Sequence, residues 1–182
     1  MFYPSNPRGE GVPALVADPP AWWKPALALF AALIVQSTLA QMLTFRGALP
    51  SFVLLVVLWY ALRAGTMQGV LIGTIAGACE DALAGWTGAG WTIATGITGA
   101  LAGRASNTVA TEGPLRVALF TAGATLARYA LFAMVVRIEG RPLPLATLHV
   151  HAVLWQALFC ALIAYAALAF IPRLEVSRVF FR

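Results

Sequence analysis

Apolar residues fall into six long blocks separated by short polar connections: Pro25 to Phe45, Ala48 to Leu62, Thr66 to Ala84, Gly90 to Ala102, Leu115 to Val136 and Leu145 to Ile171. The pattern predicts helices that satisfy their own backbone hydrogen bonds in lipid. The second and fourth blocks are short. Extended to Arg46–Ala64 and Thr87–Arg104 they reach about 18 or 19 residues, close to the ~27 to 30 Å of a hydrocarbon core. Pro50 stands where the second helix would begin, and there its missing amide donor costs nothing. Residues 1–24 hold five prolines, which exclude a regular helix and predict a tail. The predicted fold class is an all-α integral membrane protein. It is a bundle of six short transmembrane helices over residues 25–172, with a basic tail at 173–182.

Composition supports this. Of 182 residues, 60% are apolar and 10% charged, against about 25% charged in soluble domains, and the mean hydropathy is +0.82. Trp22, Trp23 and Lys24 form an aromatic and basic anchor before the first block. A cleaved signal peptide is the competing reading of that block, but it begins too deep in the chain and runs on past Ala40. With the amino terminus inside, the cytoplasmic side receives Arg8, Lys24, Arg63, Arg104, Arg116, Arg173, Arg178 and Arg182, and the outer side only Arg46, Arg137 and Arg141. Both termini are therefore expected in the cytoplasm. The basic balance is explained by loop arginines facing acidic lipid, and no basic stripe with interleaved aromatics suggests nucleic acid. Cys79 and Cys160 lie in separate blocks without metal-site spacing and read as inert thiols.

The third block carries Gly69, Gly73, Gly77, Asp81 and Gly85 at four-residue spacing, a stripe that lets another backbone approach closely. Gly96, Gly99 and Gly103 in the fourth block, with Thr92, Thr95 and Thr98, offer the matching face. The very short connection Gly85 to Gly90 predicts an antiparallel pair. Glu80 is turned about 100° from Asp81 around the helix. Asp81 lies about 24 Å into its span and Arg128 about 18 Å into the fifth, both toward the outer side. An arginine so deep costs about 2.5 to 3.5 kcal/mol on insertion scales and demands a partner. An interhelical Asp81–Arg128 tie is the expected solution. His149 and His151 open the sixth span, so Glu80, Asp81, Arg128, His149 and His151 form one expected outer polar cluster. Gln36, Gln41, Gln68 and Gln156 read as interhelical hydrogen-bond groups. No catalytic residue, metal ligand set or cofactor is assigned. The acid pair lacks metal- or diphosphate-binding company, and no nucleophile stands beside a plausible base.

The run Leu49-Pro50-Ser51-Phe52-Val53-Leu54-Leu55, then Tyr60 to Gly65, then Gly69, Gly73, Gly77, Asp81, Gly85 and Gly88 or Gly90, resembles the rod shape-determining protein MreD family. That family shows a proline before an apolar helix, then a glycine-rich helix ending in an aspartate with a glycine shortly after. The resemblance covers residues 46–104. Ser51 stands where the family often has Asp or Asn, and Arg128, His149 and His151 lie outside the resemblance. It implies a non-enzymatic scaffold in the bacterial cytoplasmic (inner) membrane, part of the cell-elongation, peptidoglycan-synthesising complex. Such a subunit would bind an MreC homologue. Through it, cytoplasmic MreB filaments would be linked to RodA and a penicillin-binding transpeptidase. The family is similar in fold to the substrate-binding subunits of energy-coupling-factor vitamin transporters. The alternative is therefore a small-molecule uptake subunit whose outer cluster lines a solute pocket.

Overall fold

A computed structural model describes residues 23–39, 48–85, 87–106, 113–140 and 150–170. The described residues form six helices and no sheet: α1 (Trp23–Leu39), α2 (Phe52–Ala64), α3 (Thr66–Ala84), α4 (Gly90–Arg104), α5 (Pro114–Ile138) and α6 (Val150–Phe170). Two stretches, Pro114–Ile138 and His151–Ala169, are long and apolar enough to cross a membrane by length and composition, which points to membrane association. The proline-rich and basic tails, Gln41 and His149 lie outside the described residues.

Helix limits follow local chemistry. Ser51 caps α2: its hydroxyl accepts from the Leu54 amide at 3.3 Å, satisfying a donor the first turn leaves open. Of the expected extension of this helix back to Arg46, residues 48–51 are not helical, because Pro50 and the capping serine fix the start at Phe52, and Arg46 itself lies outside the described residues. α2 thus has 13 residues and α4 has 15, or roughly 20 and 22 Å of rise. Thr87 likewise lies in the turn before α4 and not in the helix. α3 ends at Gly85, whose φ of 71° is left-handed and whose amide donates to the Asp81 carbonyl. Gly85 therefore terminates the helix and is not part of its packing stripe: a Cβ built there meets nothing within 4 Å. α5 opens with Pro114 in its first turn, where no amide donor is needed.

The α3–α4 pair is the most intimate in the bundle, α6 packs chiefly on α5, and α2 lies against both α3 and α4. At the centre, a Cβ on Gly73 would stand 2.5 Å from the Thr95 carbonyl oxygen, and one on Gly77 would stand 2.6 Å from Thr92 Cα. Gly69 approaches the Gly99 backbone and Gly103 the Gly65 backbone as closely. Gly96 faces the Thr74 hydroxyl, where a Cβ would lie 2.8 Å from it. The predicted glycine faces, Gly85 apart, do bring two backbones together. Larger side chains fill in around this seam: Leu29, Val53, Val57, Tyr60 and Ile72 on one side, Leu54, Leu58, Ala61 and Ala124 on another. Among the expected glutamines, Gln68 accepts from the Tyr60 hydroxyl at 3.1 Å, joining α2 to α3.

Candidate functional site: a buried arginine held by three neighbouring helices

Arg128 sits past the midpoint of α5, on the face turned to the bundle, and is 2% exposed. In such surroundings a guanidinium must have its donors used, since an unpaired buried charge is among the most destabilising features a fold can hold. Three neighbouring helices supply partners. Nε donates to Thr95 Oγ1 on α4 at 2.8 Å. Nη1 donates to Ser51 Oγ, the α2 cap, at 3.0 Å. Nη2 forms an ion pair with Glu80 Oε2 on α3. The guanidinium carbon also lies 4.5 Å from the Trp91 ring centre, a favourable cation–π placement. The same indole stacks on Phe132 with ring centroids 4.0 Å apart.

The network continues into α1. Gln36 Nε2 donates to Glu80 Oε1 at 3.1 Å, and Gln36 Oε1 accepts from the Val53 amide at 3.3 Å. One charged pair with its hydrogen-bonded neighbours therefore connects α1, α2, α3, α4 and α5.

The acid that pairs with Arg128 is Glu80, not Asp81 as expected. The 100° between successive residues decides this: with the glycine stripe and Asp81 turned to α4, Glu80 is carried round toward α1 and α5. Asp81 does a different job. Oδ1 accepts from Thr87 Oγ1 at 2.6 Å and from the Trp91 amide at 3.1 Å. Oδ2 accepts from the Thr92 amide at 2.8 Å and from Thr92 Oγ1 at 2.7 Å. These amides belong to the first turn of α4 and have no partner within their helix. A carboxylate is favoured there by the helix dipole as well as by the hydrogen bonds. Asp81 thus fastens the end of α3 to the start of α4 across the turn.

Asp81→Ala should accordingly expose the first turn of α4, with a loss of about 1 to 2 kcal/mol, the upper range for a capping residue. Hydrogen exchange at the Trp91 and Thr92 amides should accelerate selectively. Unchanged protection at both would show that the cap is not what holds the turn.

The expected outer cluster therefore divides. Glu80 and Arg128 meet, while Asp81 stands on the other face of α3. His151 is exposed on the first turn of α6 and accepts from Trp155 Nε1 at 2.9 Å, whereas the side chains that bind Arg128 are Thr95, Ser51 and Glu80. Ser51, Thr95, Gln36 and Trp91 complete the site, although the sequence reading assigned none of them to it. Among the described residues no group of three or more His, Cys, Asp or Glu side chains comes together in a way that could hold a metal.

Beside the ion pair a cleft of about 630 Å3 opens between the C-terminal halves of α1, α3 and α5 and the N-terminal ends of α2, α4 and α6. Gln36, Ser51, Glu80, Arg128, Tyr129 and Gln156 are among its polar lining residues, with Ser37 at its edge on α1. Comparison with protein-family models, with curated proteins and with solved structures finds no match to this chain.

Proposed function

We propose that the chain is a non-enzymatic scaffold of the bacterial cytoplasmic membrane. All six helices cross the bilayer, both termini are cytoplasmic, and an MreC homologue is the direct partner. MreB, RodA and a penicillin-binding transpeptidase are reached through the complex.

The observation that carries this reading is the inverted distribution of residue types. Inside, α3 presents Gly69, Gly73, Gly77 and Asp81; outward it presents Met67, Leu71 and Ile75, each more than half exposed. α4 buries Thr95, Thr98 and Gly99 and exposes Ile93, Ile97 and Leu101, and α6 exposes Leu154, Leu158 and Leu162. Rows of large apolar residues on the outside, with small and polar ones inside, suit lipid as the surrounding solvent and leave smooth helix faces for a partner's transmembrane segment. Neighbouring helices and a lipid environment also explain how spans as short as α2 and α4 are accommodated, since the bilayer can thin around a short span at modest cost. The residues of the MreD resemblance fall on the α2–α3–α4 core, where Pro50-Ser51 and the glycine helix have structural work to do.

Co-expression with the MreC homologue from the same genome, followed by detergent purification through a tag on one chain, tests the proposal. A stable stoichiometric complex is expected. Two folded, monodisperse chains that elute apart would eliminate it. The cleft beside Glu80 and Arg128 favours a second reading, a solute-uptake subunit, for which co-purification with a transporter's energising subunits would be the corresponding result.

A further inference from the structure

The cleft of about 630 Å3 has the dimensions of a small-molecule or head-group site, and its lining restricts what it can hold. Its two formal charges, Arg128 and Glu80, are paired with each other. Asp81 is absent from the lining, with both its oxygens committed to the turn and to α4. A ligand with net charge would find no uncompensated partner and would carry its own desolvation cost into the bundle.

Hydrogen-bonding capacity is nevertheless left over. A guanidinium has five N–H donors, and Thr95, Ser51 and Glu80 engage three of them, leaving one on each Nη nitrogen. The Tyr129 hydroxyl and the Gln156 amide line the same cleft, and neither has a hydrogen-bond partner among the described residues. Both side chains are partly buried, so their polar ends remain open to whatever occupies the cleft. Spare donors from Arg128 and Tyr129 thus lie beside an acceptor carboxylate and a free amide, in a cleft whose lining carries zero net charge and includes the apolar side chains of Leu33 and Leu83.

We infer that the cleft binds a zwitterionic group, an oxyanion joined to a primary ammonium by a short carbon link, lying antiparallel to the Arg128–Glu80 pair. The oxyanion accepts from the spare guanidinium N–H groups and the Tyr129 hydroxyl. The ammonium donates to Glu80 and to the Gln156 carbonyl oxygen, and apolar substituents run along Leu33 and Leu83. Ethanolamine phosphate has this chemistry, whether as the head group of a bilayer lipid or as a free solute. The inference goes beyond the scaffold proposal and does not depend on it, because the site lies wholly within this chain.

Native mass spectrometry and thermal unfolding of the purified full chain in detergent test it, with phosphatidylethanolamine, phosphatidylcholine and phosphatidylglycerol as probes. Phosphatidylethanolamine should remain bound and raise the unfolding temperature. Phosphatidylcholine lacks an ammonium N–H to give Glu80, and phosphatidylglycerol has no cation, so both should bind at least about tenfold more weakly. Tyr129→Phe and Gln156→Leu should each weaken phosphatidylethanolamine binding about three- to tenfold, the loss of one hydrogen bond, without changing the unfolding temperature of the lipid-free chain. Competition by glycerophosphoethanolamine would identify a soluble ligand as the source; retention of the lipid against it would identify the bilayer. Equal binding of all three lipids, or phosphatidylethanolamine binding indifferent to both substitutions, would overturn the inference. No partner chain is present, so this outcome is separate from that of the MreC experiment.

Discussion

Replacing Arg128 by leucine is expected to destabilise the folded bundle by about 3 to 5 kcal/mol, the range for breaking one half of a buried charge pair. The substitution removes three hydrogen bonds at once, to Thr95, Ser51 and Glu80. It also leaves the Glu80 carboxylate with only Gln36 for company. Lysine should rescue little, because a single ammonium cannot reproduce a planar fork aimed at three separate helices. Unfolding titrations with sodium dodecyl sulfate in mixed micelles measure the effect. The decisive comparison is between double variants. Glu80→Leu with Arg128→Leu should cost less than Arg128→Leu alone, since no orphaned charge remains. Asp81→Ala with Arg128→Leu should be close to the sum of its parts, since the two side chains serve different contacts. If the aspartate variant shows the stronger coupling, Arg128 is paired with Asp81 in solution and the network described above is wrong.

The need for that partner was legible in the sequence; its identity was not. At 1.5 Å of rise per residue, depth along the helix places Glu80 and Asp81 equally well against Arg128. Only the rotation of α3 separates them, and that rotation is set by which stripe meets α4. The glycine spacing did indicate this stripe, and Asp81 lies on it, so an acid facing α4 was already in competition with one facing α5. The turn itself held a further signal. Asp81 precedes Gly85 by one helical turn, and Thr87 and Thr92 follow with hydroxyls at reach, the arrangement of an acid that closes over the start of the next helix. Ser51 shows a different limit. Its cap on α2 is local and readable from Pro50-Ser51, whereas its bond to Arg128 joins positions 77 residues apart, and one sequence carries no information about such a pairing. Gln36 and Gln68 find interhelical partners as expected, because an amide inside an apolar bundle has few alternatives.

Adding one methyl group at Gly77 should be nearly as damaging as removing Arg128, at about 3 kcal/mol, the upper end of ordinary overpacking. The added Cβ would stand 2.6 Å from Thr92 Cα, and a backbone atom cannot turn aside as the end of a flexible side chain can. The helices must separate or slide, and either motion draws the Trp91 and Thr92 amides away from Asp81. Gly73→Ala should act similarly one turn earlier, against the Thr95 carbonyl at 2.5 Å. There the displacement reaches the ion pair, because Thr95 Oγ1 accepts from Arg128. Gly123→Ala on α5 is the control: a Cβ there meets nothing within 4 Å, and alanine's higher helix propensity should leave stability unchanged or raise it by up to ~1 kcal/mol. The same detergent titration reads all three. A Gly77→Ala chain as stable as Gly123→Ala would mean that α3 and α4 can part without penalty. The ion pair, the Asp81 cap and the cleft would then lose the rigid seam against which each is positioned.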